Sequence, residues 1–80
     1  MKNAELTTGE RLALKFCNKY IDKYGIMPTM RELAEHLGKA SPNTGQRYVN
    51  QLMAKGYLGE RETLVYERVV TVKGKRALEG

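Results

Sequence analysis

One stretch of the sequence carries polar side chains that can bind base edges, spaced to lie on one helix face: Asn43, Thr44, Arg47 and Gln51. Arginine can make a bidentate pair with guanine, asparagine or glutamine can pair with adenine, and threonine offers a hydroxyl and a methyl group. No aspartate or glutamate occurs between residues 37 and 59, so phosphate would meet no carboxylate there. An ordinary solvated face is the alternative, but such faces usually mix lysine with acidic residues. The composition therefore favours a helix that reads DNA.

Three capped helices are predicted to position this face. Thr7 and Thr29 each begin a capping box, in which a glutamate three residues later accepts from the backbone of the cap. Ser41 is a preferred N-cap, and Pro42 suits the first position of the third helix. Each helix is expected to stop where a glycine can take the left-handed conformation. The predicted helices span about residues 8–24, 30–37 and 42–55 and end at Gly25, Gly38 and Gly56.

The sequence after Gly56 changes from helical to strand-like. Residues 64–66 and 68–72 are rich in β-branched and aromatic side chains, which predicts two strands between about residues 58 and 72. The tail after Thr71 can continue as a strand or begin a short fourth helix. The predicted fold class is α+β, a single winged helix-turn-helix domain over residues 1–80. In this motif the second helix of the pair lies in the major groove.

The charge of the chain increases toward its second half. There are 14 lysines and arginines against 9 acidic residues, a net charge of +5. Residues 1–36 hold six cations and five anions, whereas residues 37–80 hold eight and four. Glutamates at 60, 62 and 67 dilute the charge of the wing. The candidates for phosphate contacts lie at the start of the second helix, around the third helix and in the wing. They are Thr29, Arg31, Lys39, Asn50, Arg61 and Arg68.

Helical spacing also predicts the buried faces. On the second and third helices the inward positions are Leu33, Ala34, Leu37, Gly45, Val49, Leu52 and Met53, with Tyr48 at the border. On the first helix the inward stripe is Ala13, Cys17, Tyr20, Ile21 and Tyr24, flanked by Leu14. Gly45 is expected to allow close packing against another helix. Leu12 and Phe16 fall outside the stripe; we expect them to pack beneath the strands, the alternative being an exposed edge used for dimerisation or a partner.

Several functional classes are not expected. A chain of 80 residues is too small for a two-domain enzyme, and no nucleophile–base pair or carboxylate cluster is visible. With one cysteine and one histidine, neither an internal disulfide nor a Cys/His zinc site is expected, and no cofactor is indicated. No signal peptide and no apolar run approaching about 18 residues are present. RNA binding is disfavoured because Tyr57 and Tyr66, the candidates for stacking, are expected to pack at the sheet.

Several motifs occur in register and without a gap from about Leu6 to Leu58: Leu6-Thr7-Thr8, Gly25-Ile26-Met27-Pro28-Thr29, Glu32-Leu33-Ala34, Leu37-Gly38, Ser41-Pro42-Asn43, Leu52 and Lys55-Gly56. Together they resemble the N-terminal DNA-binding domain of LexA-type repressors. The resemblance implies a winged helix-turn-helix that binds a promoter or operator. By position it also implies that the residues contacting DNA are Ser41, Asn43, Thr44, Gln46 and Arg47.

The sequence departs from that family in two places. Gln46 and Arg47 stand where the family has two consecutive glutamates, so the family's operator sequence should not carry over. LexA-like repressors also have a self-cleaving, dimerising C-terminal domain, which a chain ending at Gly80 is expected to lack. The tail from Val70 to Gly74, with Leu78, instead resembles MarR- or PadR-type winged helices, in which a strand leads into a helix that often dimerises.

The sequence thus predicts a cytoplasmic, sequence-specific double-stranded DNA-binding protein, a small bacterial or phage transcriptional regulator. A monomer would cover roughly 600–1,000 Å² of DNA surface, which favours a homodimer or paired binding to repeated half-sites. The alternative hypothesis is a winged-helix protein-interaction module, an anti-repressor or cofactor, that docks on a regulator or a polymerase subunit. Its partner face would include Leu12 and Phe16.

Overall fold

Three helices, a two-stranded sheet and a fourth helix follow one another in the computed structural model. It describes residues 6–39, 41–62 and 66–79, and of residues 61, 62, 66 and 67 only the backbone. The elements are α1 (Thr8–Tyr24), α2 (Met30–His36), α3 (Pro42–Ala54), β1 (Leu58–Glu62), β2 (Tyr66–Val70) and α4 (Val72–Glu79). This order confirms the predicted winged helix-turn-helix. The tail that the sequence left open between strand and helix is the helix α4. No helix in the described ranges is long and apolar enough to cross a membrane.

The helices begin where the sequence predicted because their caps are formed by neighbouring residues. The Thr7 hydroxyl accepts from the Glu10 N–H at 3.1 Å, and the Glu10 carboxylate accepts from the Thr7 N–H at 3.0 Å. Thr29 and Glu32 form the same box at the start of α2. At the start of α3, the Ser41 hydroxyl accepts from the Asn43 N–H at 3.2 Å. These local bonds fix where each helix starts.

The core lies where α1, α2 and α3 meet above the sheet. Its fully buried side chains are Ala13, Leu14, Cys17, Leu33, Val49 and Leu52, and Tyr57, Leu58 and Val70 extend it beneath the wing. The predicted inward faces of α2 and α3 are confirmed, with Tyr57 packing at the sheet as expected. The same prediction for Tyr66 concerns a side chain that is outside the described part of the structure.

Two predictions for α1 were wrong. Tyr24 is 57% exposed, because the buried face is centred near Ala13 and Leu14 and α1 extends past the core. Phe16 packs from the α2 side, with its ring stacked on His36 at 4.2 Å between centroids, rather than beneath the strands. Leu12 is 49% exposed, which agrees with the alternative of an exposed edge.

The wing is an antiparallel pair, β1 with β2, in which Leu58 pairs with Val70 and Glu62 with Tyr66. Thr71 then begins α4: its hydroxyl donates to the Gly56 carbonyl at 2.7 Å and accepts from the Gly74 N–H at 3.0 Å. Near the other end of α4, the Arg11 guanidinium donates to the Ala77 carbonyl at 2.7 Å. The fourth helix is therefore held by hydrogen bonds at both ends, to the chain that precedes the wing and to α1.

Candidate nucleic-acid interface

The geometry of the helix-turn-helix depends on a close approach between α2 and α3. Gly45 is buried on the inner face of α3, and a Cβ atom placed there would overlap the carbonyl oxygen of Met30. Gly38, in the connection, has a left-handed φ of 76°, a conformation that glycine adopts without steric cost. The Lys39 N–H donates to the Ala34 carbonyl at 2.9 Å and so closes the turn. These contacts direct the opposite face of α3 toward solvent.

That outer face of α3 is exposed and polar, as predicted. Asn43, Arg47, Asn50 and Gln51 are exposed, and Thr44 and Gln46 are partly buried. Because α3 has no acidic side chain, its outer face offers donors and acceptors without repelling phosphate. A 13-residue helix is about 20 Å long and fits the major groove, which is about 12 Å wide.

Two of the predicted base-contacting residues make hydrogen bonds within the domain. The Gln46 amide donates to the Asn50 side-chain oxygen at 2.9 Å, which orients both amides. The Ser41 hydroxyl accepts from the Asn43 N–H, so it keeps its own proton to donate and a second lone pair to accept. Both residues can still meet DNA: Gln46 has a free carbonyl oxygen, and Ser41 has a hydroxyl hydrogen.

The start of α2 is already occupied by a carboxylate. Glu32 accepts from the Thr29 N–H at 2.9 Å and from the Tyr20 hydroxyl at 3.1 Å. The hydrogen bond from the Thr29 N–H, helped by Tyr20, outweighs desolvation and lowers the pKa of Glu32. Desolvation and the same carboxylate raise the pKa of Tyr20. A phosphate at this end would be close to the negative charge of Glu32, whereas the neighbouring Arg31 is an exposed cation.

At the other end of the interface, Lys55 follows α3 but does not point to solvent as a free cation. Its ammonium group lies 2.6 Å from the carboxylate of Glu10, which is 3% exposed. Sequence reasoning missed this pair. Glu10 was recognised as a cap residue, and no sequence signal joined it to a lysine 45 positions away.

Basic and acidic positions are paired across the two strands of the wing. Arg68 is exposed and pairs in register with Glu60, and Arg61 pairs with Glu67. Residues directly opposite each other in an antiparallel pair lie on the same face of the sheet. The predicted phosphate contact of Arg61 falls on a side chain outside the described residues. Arg68 has a glutamate beside it, so the wing is weaker in positive charge than the region around α3.

The sequence model of the LexA DNA binding domain matches residues 3–63 of this chain. The chain belongs to the LexA DNA-binding domain family. The matched residues contain α1, α2, α3 and the first strand of the wing, so the family match includes the whole helix-turn-helix. The family assignment confirms the resemblance that the motifs from Leu6 to Leu58 indicated.

Curated relatives of the chain are named LexA repressors. The chain is 35% identical over 63 residues to the LexA repressor of Carboxydothermus hydrogenoformans, covering 79% of this chain and 31% of the relative. It is 39% identical over 54 residues to the LexA repressor of Desulfatibacillum aliphaticivorans, covering 68% of this chain and 27% of the relative. This LexA-type domain thus spans about a third of the length of the curated relatives that it matches. No solved structure matches it.

Proposed function

We propose that this chain binds double-stranded DNA in a sequence-specific manner, as the DNA-reading domain of a bacterial or phage transcriptional regulator. The observation that carries the proposal is the exposed, acid-free outer face of α3, held outward by the contact between Gly45 and Met30. Membership of a DNA-binding domain family supports it, as do curated relatives that are named repressors. Such a regulator would act in the cytoplasm, where the genome lies.

We assign two roles on this surface. Base edges would be read by the residues on the outer face and N-terminus of α3: Ser41, Asn43, Thr44, Gln46, Arg47 and Gln51. Phosphates would be held by the surrounding cations and polar groups: Thr29, Arg31, Lys39, Asn50, Arg61 and Arg68. Base contacts discriminate between sequences, whereas phosphate contacts set the register on the duplex and the dependence of affinity on salt.

The proposed role is non-enzymatic and needs no cofactor. Cys17 offers no reactive thiol, because it is buried and desolvation raises the pKa of its thiol to about 12. We also propose that two copies bind adjacent half-sites, since one module of this size buries roughly 600–1,000 Å² of surface on DNA. Their half-sites would then be separated by about one helical turn.

Selection of bound duplexes from a random pool tests the proposed function. We expect enrichment of a short motif, repeated at about one-turn spacing if two copies bind together. Fluorescence anisotropy would then compare the enriched duplex with a shuffled duplex of the same composition at several salt concentrations. No enrichment from the pool, or equal binding to the enriched and the shuffled duplex, would reject the proposal.

A further inference from the structure

A second charged surface lies on α1, away from the helix-turn-helix. Four cations follow one another at intervals of four residues, Arg11, Lys15, Lys19 and Lys23, and all four are exposed. A spacing of four residues places side chains one above another on the same side of a helix. Within the described part of the chain, neither Lys15 nor Lys19 forms an ion pair. We call these four residues the cationic stripe.

An apolar row runs beside the cationic stripe with the same spacing. Its members are Leu12, Phe16, Tyr20 and Tyr24, of which Leu12 is 49% exposed and Tyr24 57% exposed. The aromatic rings contact one another in order, with centroids 5.9 Å apart for Phe16 and Tyr20 and 4.5 Å apart for Tyr20 and Tyr24. The row lines shallow grooves together with lysines of the stripe. Basic and apolar groups therefore form one continuous surface.

The cationic stripe faces away from the proposed reading face of α3. The buried side of α1, which packs against the core and α3, is formed by Glu10, Ala13, Leu14 and Cys17. At 100° per residue, Lys15 and Lys19 point to the opposite side of the helix. A duplex seated on the outer face of α3 would be separated from them by the thickness of α1. Phosphates of that duplex are therefore not the groups that the stripe would bind.

A second copy of this chain is also a poor occupant. A symmetric contact through this face would bring the stripe of one copy against the same cations of the other. Lys75 of α4 adds a further positive charge in the groove beside Arg11. The acidic side chains that border the face are Asp22, Glu79 and Glu32, which accepts from the Tyr20 hydroxyl at 3.1 Å, so five cations stand against three carboxylates. Because positive charge remains in excess on this face, its electrostatic complement is an acidic partner.

We propose that the exposed face of α1 docks an acidic amphipathic helix of another protein, with carboxylates on the cationic stripe and apolar side chains on the Leu12–Tyr24 row. The stripe from Arg11 to Lys23 is about 18 Å long, which corresponds to about three helical turns of the partner. Helix-to-helix recognition of this kind uses anchors at the same spacing of three to four residues. The proposal does not depend on the function assigned to α3, and both surfaces can be occupied at once.

A designed peptide tests the pattern directly. The probe is a fluorescent helical peptide of about sixteen residues, with glutamates at every fourth position beside a row of leucines. Its control is a peptide of the same composition in shuffled order. We expect the patterned peptide to bind the full chain roughly tenfold more tightly than the shuffled one in fluorescence anisotropy. Equal binding of the two peptides would overturn the proposal.

Matched charge variants locate the site. Lys15→Gln with Lys19→Gln should weaken peptide binding roughly tenfold and leave binding to the selected duplex little changed. Arg31→Gln with Lys39→Gln removes the same charge elsewhere and should show the reverse pattern. The proposal fails if both double variants weaken peptide binding equally, because the peptide would then respond to the overall charge of the chain and not to the cationic stripe. It also fails if the Lys15 and Lys19 variant loses duplex binding as strongly as its control, because the face would then bind DNA.

A third variant tests the apolar row without disturbing the core. Leu12→Gln with Tyr24→Gln changes two side chains that are about half exposed. This double variant should bind the patterned peptide severalfold more weakly. Circular dichroism would show that the helices remain folded. An unchanged affinity would reject the apolar part of the site. Self-association that this variant abolishes, measured by sedimentation, would instead assign the face to a second copy.

Discussion

The Lys55 ammonium group lies 2.6 Å from the Glu10 carboxylate and joins the end of α3 to the first turn of α1. The same carboxylate oxygen accepts from the Thr7 N–H, so one buried group caps α1 and holds the proposed reading helix. Burial raises the pKa of Glu10, but the hydrogen bonds from Lys55 and Thr7 and the charge of Lys55 outweigh it and leave the pKa below its ordinary value.

Lys55→Met should lower the free energy of unfolding by about 1–3 kcal/mol, because it leaves the buried carboxylate without its cation. Urea unfolding followed by circular dichroism measures this change. Lys75→Met, at an exposed cation of α4, is the control and should change stability by less than about 0.5 kcal/mol. If the two variants were equally stable, the pair would contribute nothing to the fold.

The same carboxylate should make stability depend on pH in the acidic range. Because the pKa of Glu10 is lower in the folded chain, the unfolded chain takes up protons more readily. The stabilisation is complete above the ordinary pKa of 4.5 and is lost as pH falls through the folded value. Thermal unfolding at a series of pH values should show this loss, and Glu10→Gln should have a weaker dependence. Identical profiles for the two proteins would contradict the assignment.

Gly45→Ala should destabilise the domain although alanine favours helices. The added methyl group would overlap the Met30 carbonyl oxygen, and overpacking of this kind costs about 1–3 kcal/mol. Gln51→Ala, on the exposed side of the same helix, should change stability by less than about 0.5 kcal/mol. Denaturant titrations of both variants provide the comparison. A stabilised Gly45 variant would show that α2 and α3 can separate without cost.

Arg47→Ala should reduce discrimination between the selected duplex and a shuffled one by about 1–3 kcal/mol. Lys39→Ala should weaken binding to both duplexes by a similar factor, because a phosphate contact carries little sequence information. It should also reduce the salt dependence of binding. Anisotropy titrations at several salt concentrations distinguish the two effects. The role assignments would be reversed if Lys39→Ala relaxed specificity and Arg47→Ala did not.

Cys17 should react with thiol reagents only when the domain unfolds. Its side chain is fully buried, and desolvation raises the pKa of its thiol to about 12. Labelling with a chromogenic disulfide reagent at neutral pH should therefore be slow and should accelerate with added urea. Rapid labelling of the native protein would place Cys17 at an accessible position.

Helix limits could be predicted from the sequence because each depends on residues that are close along the chain. Thr29 and Glu32 form their capping box three residues apart, and a local pattern is enough to recognise it. The outer face of α3 was predictable for a related reason, since helical periodicity separates its polar residues from Val49 and Leu52. What periodicity cannot supply is the identity of the neighbouring element.

The wrong predictions follow from that missing neighbour. The position of Phe16 around α1 could be predicted from the sequence, and it suggested packing beneath the strands. The sequence did not indicate that His36 of α2 occupies that side. Tyr24 belongs to the expected stripe by angle, yet its side chain is 57% exposed near the end of the helix. The pairing of Arg68 with Glu60 depends on a strand register that no turn motif specified.

The approach of α2 to α3 has a consequence for how such a domain can diversify. Gly45 meets a main-chain oxygen, so the angle between the helices does not depend on which side chains project from the far side of α3. Asn43, Arg47 and Gln51 can therefore be exchanged without rebuilding the support behind them. Under the proposed function, a lineage that keeps the glycine would acquire a new operator through a few surface substitutions. Libraries randomised at these positions should then yield folded proteins with altered targets.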